Sequence, residues 1–218
     1  MPIILRTTRF MPMLFRALVA SFALALAPLA LAAQEHGGND HAKMEHPVTV
    51  VIIVRHADKA AQPAADPPLT EVGTARAQAL AQMLRFSNIG AVLHTPTVRT
   101  RDTAIPTARQ FGLTPEVLPL GPAAIHAEVV AEAVRKHAGK TVLVVGHSNT
   151  VMKYIAALGG PVRPDLCDHE YDGIYTLVIA HGETRLVQGR YGPPNPPPAA
   201  GCATMAPAAA RPESPARP

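Results

Sequence analysis

Histidine and arginine side chains collect just beyond the ends of three apolar runs in this sequence. Arg55 and His56 directly follow the first run, Arg99 comes shortly after the second, and His147 follows the third. Guanidinium groups match the oxygens of a phosphoryl group, and a histidine among them can act as nucleophile, general acid or hydrogen-bond donor. Because uncompensated burial of a charge is costly, we expect these arginines to lie outside the core. The residue types therefore predict a site for a phosphoryl group.

These residues require a scaffold in which strands alternate with helices. Short β-branched runs predict strands, and apolar residues at helical spacing predict helices. Strands are expected over 48–54, 89–93, 116–118, 141–145, 175–180 and 184–190, and helices over 70–85, 98–111, 122–137 and 149–158. The alternation predicts an α/β three-layer sandwich with a mostly parallel central sheet, in which ligands bind beyond the carboxyl ends of the strands.

The predicted domain occupies residues 48–192, and the segment before it has a different composition. Residues 1–33 carry Arg6, Arg9 and Arg16 ahead of an apolar run that ends in small residues, which is typical of a secretory signal peptide. An uncleaved membrane anchor is the alternative for this segment. The pattern predicts cleavage, a periplasmic or secreted protein, and no stable membrane insertion after cleavage.

Two further segments are predicted to lie outside the fold. Residues 34–47 form a His-containing linker, for which a loose metal-binding segment is the alternative. Residues 193–218 are rich in Pro and Ala and are predicted to be a disordered tail. Cys167 and Cys202 could form a disulfide bond after export or remain free thiols.

The formal net charge of +4 does not indicate a nucleic-acid-binding protein. Its clearest local excess is the group of arginines in the predicted signal peptide, which no acidic residue offsets. The chain has no Trp, and aromatic residues make up only 4% of it, so surfaces on which bases could stack are scarce. We therefore expect no nucleic-acid partner.

Three segments resemble the motifs of the histidine phosphatase superfamily, which includes phosphoglycerate mutases, acid phosphatases and phosphohistidine phosphatases. They are Arg55-His56, the segment 95–104 (TPTVRTRDTA) and the segment 144–148 (VVGHS). Each follows a predicted strand, and the resemblance extends over nearly all of residues 50–191. It implies a phosphoglycerate mutase-like fold. The chain looks like a small exported bacterial member of the superfamily, similar to phosphohistidine phosphatases.

The resemblance also assigns roles to the residues at the strand ends. His56 would be the nucleophile and would take the phosphoryl group to form a phosphohistidine, which water then cleaves. Arg55, Arg99 and His147 would be both catalytic and substrate-binding residues around the transferred group. Two arginines and a protonated His147 could stabilise the charge on the equatorial oxygens, so neither a metal nor another cofactor is expected.

The proton donor for the leaving group stays open at this point. In much of the family a carboxylate after the second motif supplies the proton, which makes Glu128 a catalytic candidate, although a solvated helix face explains this residue equally well. Asp58, close after the nucleophile, is the other candidate. Ala57 and Ser148 depart from residues common in parts of the family, and both departures leave the leaving group open. The other histidines of the predicted domain are expected on loops or solvated faces: His94, His126, His137, His169 and His181.

Two function classes follow from these residues. The first is an exported, metal-independent phosphatase that hydrolyses a small phosphomonoester or a phosphohistidine, which could belong to a phosphoprotein. The alternative is a non-catalytic module that binds phosphate or a phosphorylated ligand on the same fold. A mutase is disfavoured, because export would separate it from glycolytic substrates. Only the segments 57–68 and 118–125 are available as walls, so we expect an open, shallow site.

Overall fold

Strands form where the sequence has β-branched apolar runs, and helices form between them. The computed structural model describes residues 47–198. In chain order the elements are β1 (Thr49–Arg55), α1 (Glu71–Met83), β2 (Ile89–His94), α2 (Val98–Gln110), β3 (Glu116–Val117), α3 (Ala123–Arg135), β4 (Thr141–Gly146), α4 (Val151–Ala157), β5 (Gly173–Ala180) and β6 (Glu183–Arg190). Each strand and helix predicted from the sequence is present, with small shifts at the ends.

The strands pair in one sheet in the order β3-β2-β4-β1-β5-β6. The pairs β1–β4, β2–β4 and β2–β3 are parallel. The pairs β1–β5 and β5–β6 are antiparallel, so the last two strands form a hairpin at one edge. This arrangement confirms the predicted α/β fold with a mostly parallel sheet.

Alternate residues of β1 fill two separate cores. Val51 and Ile53 belong to a buried cluster with residues of α3 and α4, whereas Ile52 and Val54 belong to a cluster with residues of α1 and α2. Successive strand residues point to opposite faces of a sheet, and each face is therefore covered by a pair of helices. The result is the predicted three-layer sandwich.

Helix α1 begins where its sequence suggests, and helix α2 contains a proline in its interior. The Thr70 side chain caps α1, because its Oγ1 accepts a hydrogen bond of 3.0 Å from the backbone N–H of Gly73. Helix α2 continues past its first turn through Pro106, so this proline neither ends the helix nor lies at its start.

The packed part of the chain extends past the predicted end of the domain. Nη1 of Arg76 donates a hydrogen bond of 2.7 Å to the carbonyl of Pro193. The side-chain oxygen of Asn195 accepts hydrogen bonds from the backbone N–H groups of Tyr171 and Asp172, at 2.8 and 3.1 Å. The first residues of the segment predicted as a disordered tail are thus held by specific contacts, and residues 199–218 lie outside the described part.

Several expectations concern residues that the structure does not describe. The predicted signal peptide, nearly all of the His-containing linker and Cys202 fall outside residues 47–198. Cys167 is disulfide-bonded, and its pairing with Cys202 stays a prediction. Within 47–198, no helix combines the length and the apolar character that a bilayer span requires. The same residues contain no group of three or more His, Cys, Asp or Glu side chains that could hold a metal ion.

Candidate active site

A cavity of about 440 Å³ opens at the carboxyl ends of β1 and β4. Parallel pairing brings distant parts of the chain together here, because Arg55 lies opposite Gly146 and His94 lies opposite Val145 in the register. The cavity is lined by Arg55, His56, Lys59, Thr97, Arg99, Leu120, Gly121, His126, His147, Ser148, Asn149, Thr150 and Asp168. All four residues predicted to handle a phosphoryl group are therefore brought together in one cavity.

His56 has one ring nitrogen fixed by the backbone and one left open. Nδ1 lies 2.8 Å from the carbonyl oxygen of Ala57, and a carbonyl can only accept, so Nδ1 carries the proton. Burial lowers the His56 pKa to about 2, with further lowering by Arg55, His147 and Arg99 and partial opposition from the Ala57 carbonyl. The ring is therefore neutral near neutral pH, with an unprotonated Nε2, which is the form that a nucleophile needs.

Arg55 is buried, which the sequence analysis did not expect. Its Nη1 donates to the carbonyls of Cys167, Asp168 and Glu170 at 2.9, 3.0 and 3.0 Å. Its Nη2 donates to the Asp168 carboxylate at 2.9 Å, and its guanidinium lies 4.1 Å from the centre of the Tyr171 ring. These contacts compensate the burial of the charge. Arg55 thus fixes the 167–171 loop beside the cavity that it lines.

Arg99 is held at the cavity by partners on both sides. Its Nη1 lies 3.2 Å from Oδ1 of Asp66, and its Nη2 lies 3.4 Å from Nδ1 of His147. Both carboxylate oxygens of Asp66 also accept from the backbone N–H of Val98, each at 3.1 Å. The 57–68 loop therefore supplies a carboxylate that binds the start of α2 and orients the guanidinium.

His147 lies between Arg99 and Thr95. Because Arg99 can only donate, Nδ1 of His147 is the acceptor, and Nε2–H donates to Oγ1 of Thr95 at 2.8 Å. Burial lowers the His147 pKa to about 4, assisted by the charges of Arg99, His126 and Arg55 and opposed by Asp66. The ring is therefore neutral in the unliganded protein at neutral pH. The protonated His147 expected around the transferred group concerns the liganded site, where the negative charge of a phosphoryl group favours protonation, and it stays a prediction.

The rings of His56 and His147 meet edge to face, with their centres 5.5 Å apart. The His56 ring also lies 6.0 Å from the ring of Tyr171. The predicted nucleophile is thus held between two side chains, and Arg55 packs on the second of them. The arrangement places an open imidazole nitrogen among fixed cations, where it can attack a phosphoryl group.

Neither carboxylate proposed as proton donor lines the cavity. Asp58 accepts a hydrogen bond of 2.7 Å from Nε of Arg76, whose side chain is fully buried. Glu128 is exposed on α3. Since a proton donor must come within hydrogen-bond reach of the leaving group, the geometry gives no support to either residue in this state.

His126 is the cavity residue that the sequence analysis missed. The expectation that His94 and His126 lie on loops or solvated faces is wrong, because both are buried, at 4% and 2% exposure. The helical spacing could have predicted this burial. His126 lies four residues before Val130 and eight before Val134, which are both in the core, whereas Glu128 lies on another face of the helix. His169 is also buried, whereas His137 is half-buried and His181 is exposed.

The comparisons with known proteins agree with this geometry. Residues 51–120 match the family model of the histidine phosphatase superfamily (branch 1). The comparison with curated proteins gave no significant match.

Several solved structures share the fold. A phosphoglycerate mutase from Bacillus anthracis str. Sterne is 15% identical, with a TM-score of 0.53 over 67% of this chain and 95% of that one. The protein histidine phosphatase SixA, solved with tungstate, is 22% identical, with a TM-score of 0.53 over 65% of this chain and 96% of that one. A mycobacterial glucosyl-3-phosphoglycerate phosphatase is 18% identical, with a TM-score of 0.52 over 64% of this chain and 97% of that one.

At these identities the solved structures establish the fold, and the family-model match covers only the first part of the described domain. That part contains His56 and Arg99, and the later part contributes His147 to the same cavity. Residues 51–120 are thus similar to the histidine phosphatase superfamily, and the described domain has a phosphoglycerate mutase-like fold.

Proposed function

We propose that the protein is a metal-independent phosphatase that hydrolyses a phosphomonoester or a phosphohistidine through a phosphohistidine on His56. One observation carries the proposal: Nδ1 of His56 is bound to the Ala57 carbonyl, so its unprotonated Nε2 is available among Arg55, Arg99 and His147. A neutral imidazole with a fixed tautomer is prepared for attack without a metal ion or an auxiliary base.

In the first step, Nε2 of His56 attacks phosphorus and the bond to the leaving oxygen or nitrogen breaks. The proton on Nδ1 stays in place, so the phosphorylated ring carries a positive charge that the Ala57 carbonyl stabilises. Arg55 and Arg99 provide positive charge around the transferred group, whose equatorial oxygens carry the negative charge of the transition state.

In the second step, water attacks phosphorus and the N–P bond breaks, which returns a neutral His56 and releases inorganic phosphate. Bound phosphoryl oxygens also favour the protonated form of His147, because a nearby negative charge raises an imidazole pKa. His147 would then donate both ring N–H groups, one to Thr95 and one towards the anion.

The substrate class rests on the cavity and on the relatives. Lys59 lines the cavity together with Arg55 and Arg99, and Asp168, the one acidic lining residue within 47–198, is bound by Arg55. A dianionic phosphoryl group suits such a lining. The solved relatives include a protein histidine phosphatase and a phosphatase of a sugar-linked phosphoglycerate, so both a small phosphoester and a phosphorylated protein side chain are within the proposal.

We further propose that the protein is exported and acts in the periplasm or outside the cell. The proposal is based on the composition of residues 1–33, which lie outside the described part of the structure. N-terminal sequencing of the protein recovered from the extracytoplasmic fraction would test it, with a new N-terminus close to residue 33 as the expected result.

The test of the activity is the variant His56→Ala in the full chain. The wild-type protein is expected to hydrolyse 4-nitrophenyl phosphate in the presence of excess EDTA, and the variant is expected to lose this hydrolysis while its circular dichroism spectrum is unchanged. His181→Asn, on the exposed turn between β5 and β6, removes an imidazole far from the cavity and serves as the control. Normal turnover by His56→Ala would contradict the proposal.

A non-catalytic phosphate-binding module is the second candidate. The observation in its favour is that Glu128 and Asp58 both lie outside the cavity lining, so no predicted carboxylate is placed to protonate a leaving group. Calorimetric titration with phosphate or tungstate separates the two functions. Binding without turnover of any phosphorylated substrate would favour the module, whereas a labelled phosphoenzyme that maps to His56 would favour the phosphatase.

A further inference from the structure

We propose that His126 is the general acid that protonates the leaving group and the general base that removes a proton from the attacking water. The inference rests on the phosphatase function proposed above. It deepens that function by assigning the acid–base role to a residue other than Glu128 or Asp58.

Helix α3 turns His126 inward, towards the cavity. The residue is 2% exposed, and it lines the same cavity as His56 and His147. Its ring packs edge to face on the ring of Tyr154 in α4, with the centres 5.4 Å apart. The packing fixes the ring position, so His126 is a wall of the cavity rather than a side chain that rotates into solvent.

The ring nitrogens of His126 lack the partners that burial normally requires. Neither makes a hydrogen bond of good geometry with any residue in the part of the chain that the structure describes. The backbone of Pro119 is close enough to oppose, in part, the lowering of the His126 pKa by burial. Because buried polar nitrogens are nearly always paired, an unpaired imidazole in the wall of a cavity indicates a partner from the ligand or from water.

The charge state of the ring suits both halves of the reaction. Burial lowers the His126 pKa, so the ring is neutral in the unliganded protein at neutral pH and can accept a proton. The charge of a protonated His126 contributes to the lowering of the His147 pKa, and both rings line the same cavity. A bound phosphoryl dianion favours the protonated ring, and the leaving oxygen can then take that proton.

The proton balance closes over one turnover. When the bond from phosphorus to the leaving oxygen breaks, protonated His126 gives its proton to that oxygen, and an alcohol departs. Water then attacks the phosphohistidine on His56, and the neutral ring of His126 takes one proton from it. The products are an alcohol and inorganic phosphate. When the phosphate departs, His126 releases to solvent the proton that it took from water and returns to its neutral form, and it takes up a proton again when the next dianionic substrate binds.

The residues otherwise available for this role are poorly placed. Glu128 lies two residues further along α3 and is exposed, and Asp58 is bound to the buried Arg76. Asp168 lines the cavity, but the buried guanidinium of Arg55 holds its carboxylate as an acceptor. His126 is the histidine of the lining whose two ring nitrogens have no hydrogen-bond partner in the described part of the chain.

The test compares leaving groups in the full-length variant His126→Asn. With phosphoserine, whose alkoxide leaves poorly, kcat/KM is expected to fall by about 10²–10⁴-fold, because this constant covers the steps up to departure of the leaving group. With 4-nitrophenyl phosphate, whose phenolate leaves without a proton, kcat/KM is expected to change little. A merely structural role would lower both values together.

The second half-reaction gives an independent readout. If His126 also removes a proton from water, the variant should accumulate phosphoenzyme, and 4-nitrophenol should appear in a burst equal to the enzyme concentration. His181→Asn is the matched control for loss of an imidazole, and Glu128→Gln tests the rival carboxylate on the same helix.

Each outcome is decisive. Equal losses with both substrates and no burst in His126→Asn would overturn the inference while leaving the phosphatase intact. The same holds if Glu128→Gln, and not His126→Asn, shows the leaving-group-dependent loss. If the wild-type protein hydrolyses neither substrate nor any other phosphorylated compound, the proposed function fails first.

Discussion

A single carbonyl oxygen prepares His56 for its role. Ala57 is the next residue in the chain, and its own N–H donates to Oγ1 of Thr103 at 2.9 Å, which anchors the backbone next to the carbonyl that binds Nδ1. The tautomer is therefore set by backbone that cannot titrate. Burial then keeps the ring neutral over a range in which an exposed histidine would be charged.

This buried ring predicts a pH-dependent stability. The His56 pKa is about 2 in the folded protein against 6.5 without the fold, so the unfolded chain binds more protons between these values. The contribution to stability is complete above pH 6.5 and decreases as the pH falls. Between pH 6.5 and 5, the free energy of unfolding should fall by about 2 kcal/mol more in the wild-type protein than in His56→Asn. Urea unfolding at both pH values measures this difference, and identical slopes would contradict it.

The residue scale also shows what the sequence could reveal about the site. His56, Arg99 and His147 were predictable because each follows a β-branched run, and parallel strands end at the same edge of a sheet. The burial of Arg55 was not predictable, since its acceptors are backbone carbonyls more than a hundred positions away. The position of His126 in the cavity could have been predicted only by assigning each residue of α3 to the buried or the exposed face of the helix.

At the scale of elements, the start of α2 is stabilised by the 57–68 loop, which is distant in the chain but packs beside it. Thr97 precedes the helix but makes no capping hydrogen bond with its side chain. Asp66 supplies the cap instead, and the same carboxylate contacts Arg99. A local sequence pattern predicts Thr97 as the cap, whereas the actual cap comes from the 57–68 loop.

We therefore expect Asp66→Ala to act on stability and on catalysis together. Loss of the cap should destabilise the protein by about 1 kcal/mol, and the unrestrained Arg99 guanidinium should lower kcat/KM. Thermal unfolding and steady-state kinetics measure the two effects. Asp102→Ala, which removes an ion pair on the surface of the same helix, should change both very little. Equal effects of the two variants would show that Asp66 neither stabilises the start of α2 nor orients Arg99 for catalysis.

The close packing of Gly73 in α1 gives a second prediction, which concerns the stability of the protein. In an exposed helix position, glycine to alanine is stabilising by about 1 kcal/mol, because alanine has the higher helix propensity. Here the added Cβ would overlap the backbone carbonyl of Asp58, which cannot move aside as a flexible side chain would. Gly73→Ala is therefore expected to be destabilising despite its propensity. Gln78→Ala, on the exposed face of α1, is the control in a urea unfolding experiment, and stabilisation by Gly73→Ala would refute the predicted overlap.

At the scale of the whole molecule, Arg76 joins distant parts of the chain. Its fully buried side chain binds the Asp58 carboxylate after β1 and the carbonyls of Tyr191 and Pro193 after β6. The sequence predicted the fold class because alternation of elements is a local pattern. It did not predict this contact, or that of Asn195 with the Tyr171 backbone, because both pair residues that are far apart in the chain.

The buried ion pair predicts a large effect for a single substitution and a smaller one for a double substitution. Arg76→Met leaves the Asp58 carboxylate without its partner and should reduce the free energy of unfolding by about 3–5 kcal/mol. Adding Asp58→Asn removes the uncompensated charge and should restore part of the loss. Unfolding of the two variants in urea measures the difference, and additive losses would mean that the two side chains do not stabilise each other.

The hairpin of β5 and β6 leaves β6 at the end of the sheet, with one row of backbone donors and acceptors unpaired among the described strands. An edge of this kind can recruit a strand from another molecule and so begin aggregation. Strand β6 carries exposed guanidinium groups on both faces, Arg185 on one and Arg190 on the other, and charged side chains along an edge strand disfavour pairing with a second copy. The charged edge therefore disfavours aggregation of the protein, which is a role separate from the chemistry proposed for the cavity.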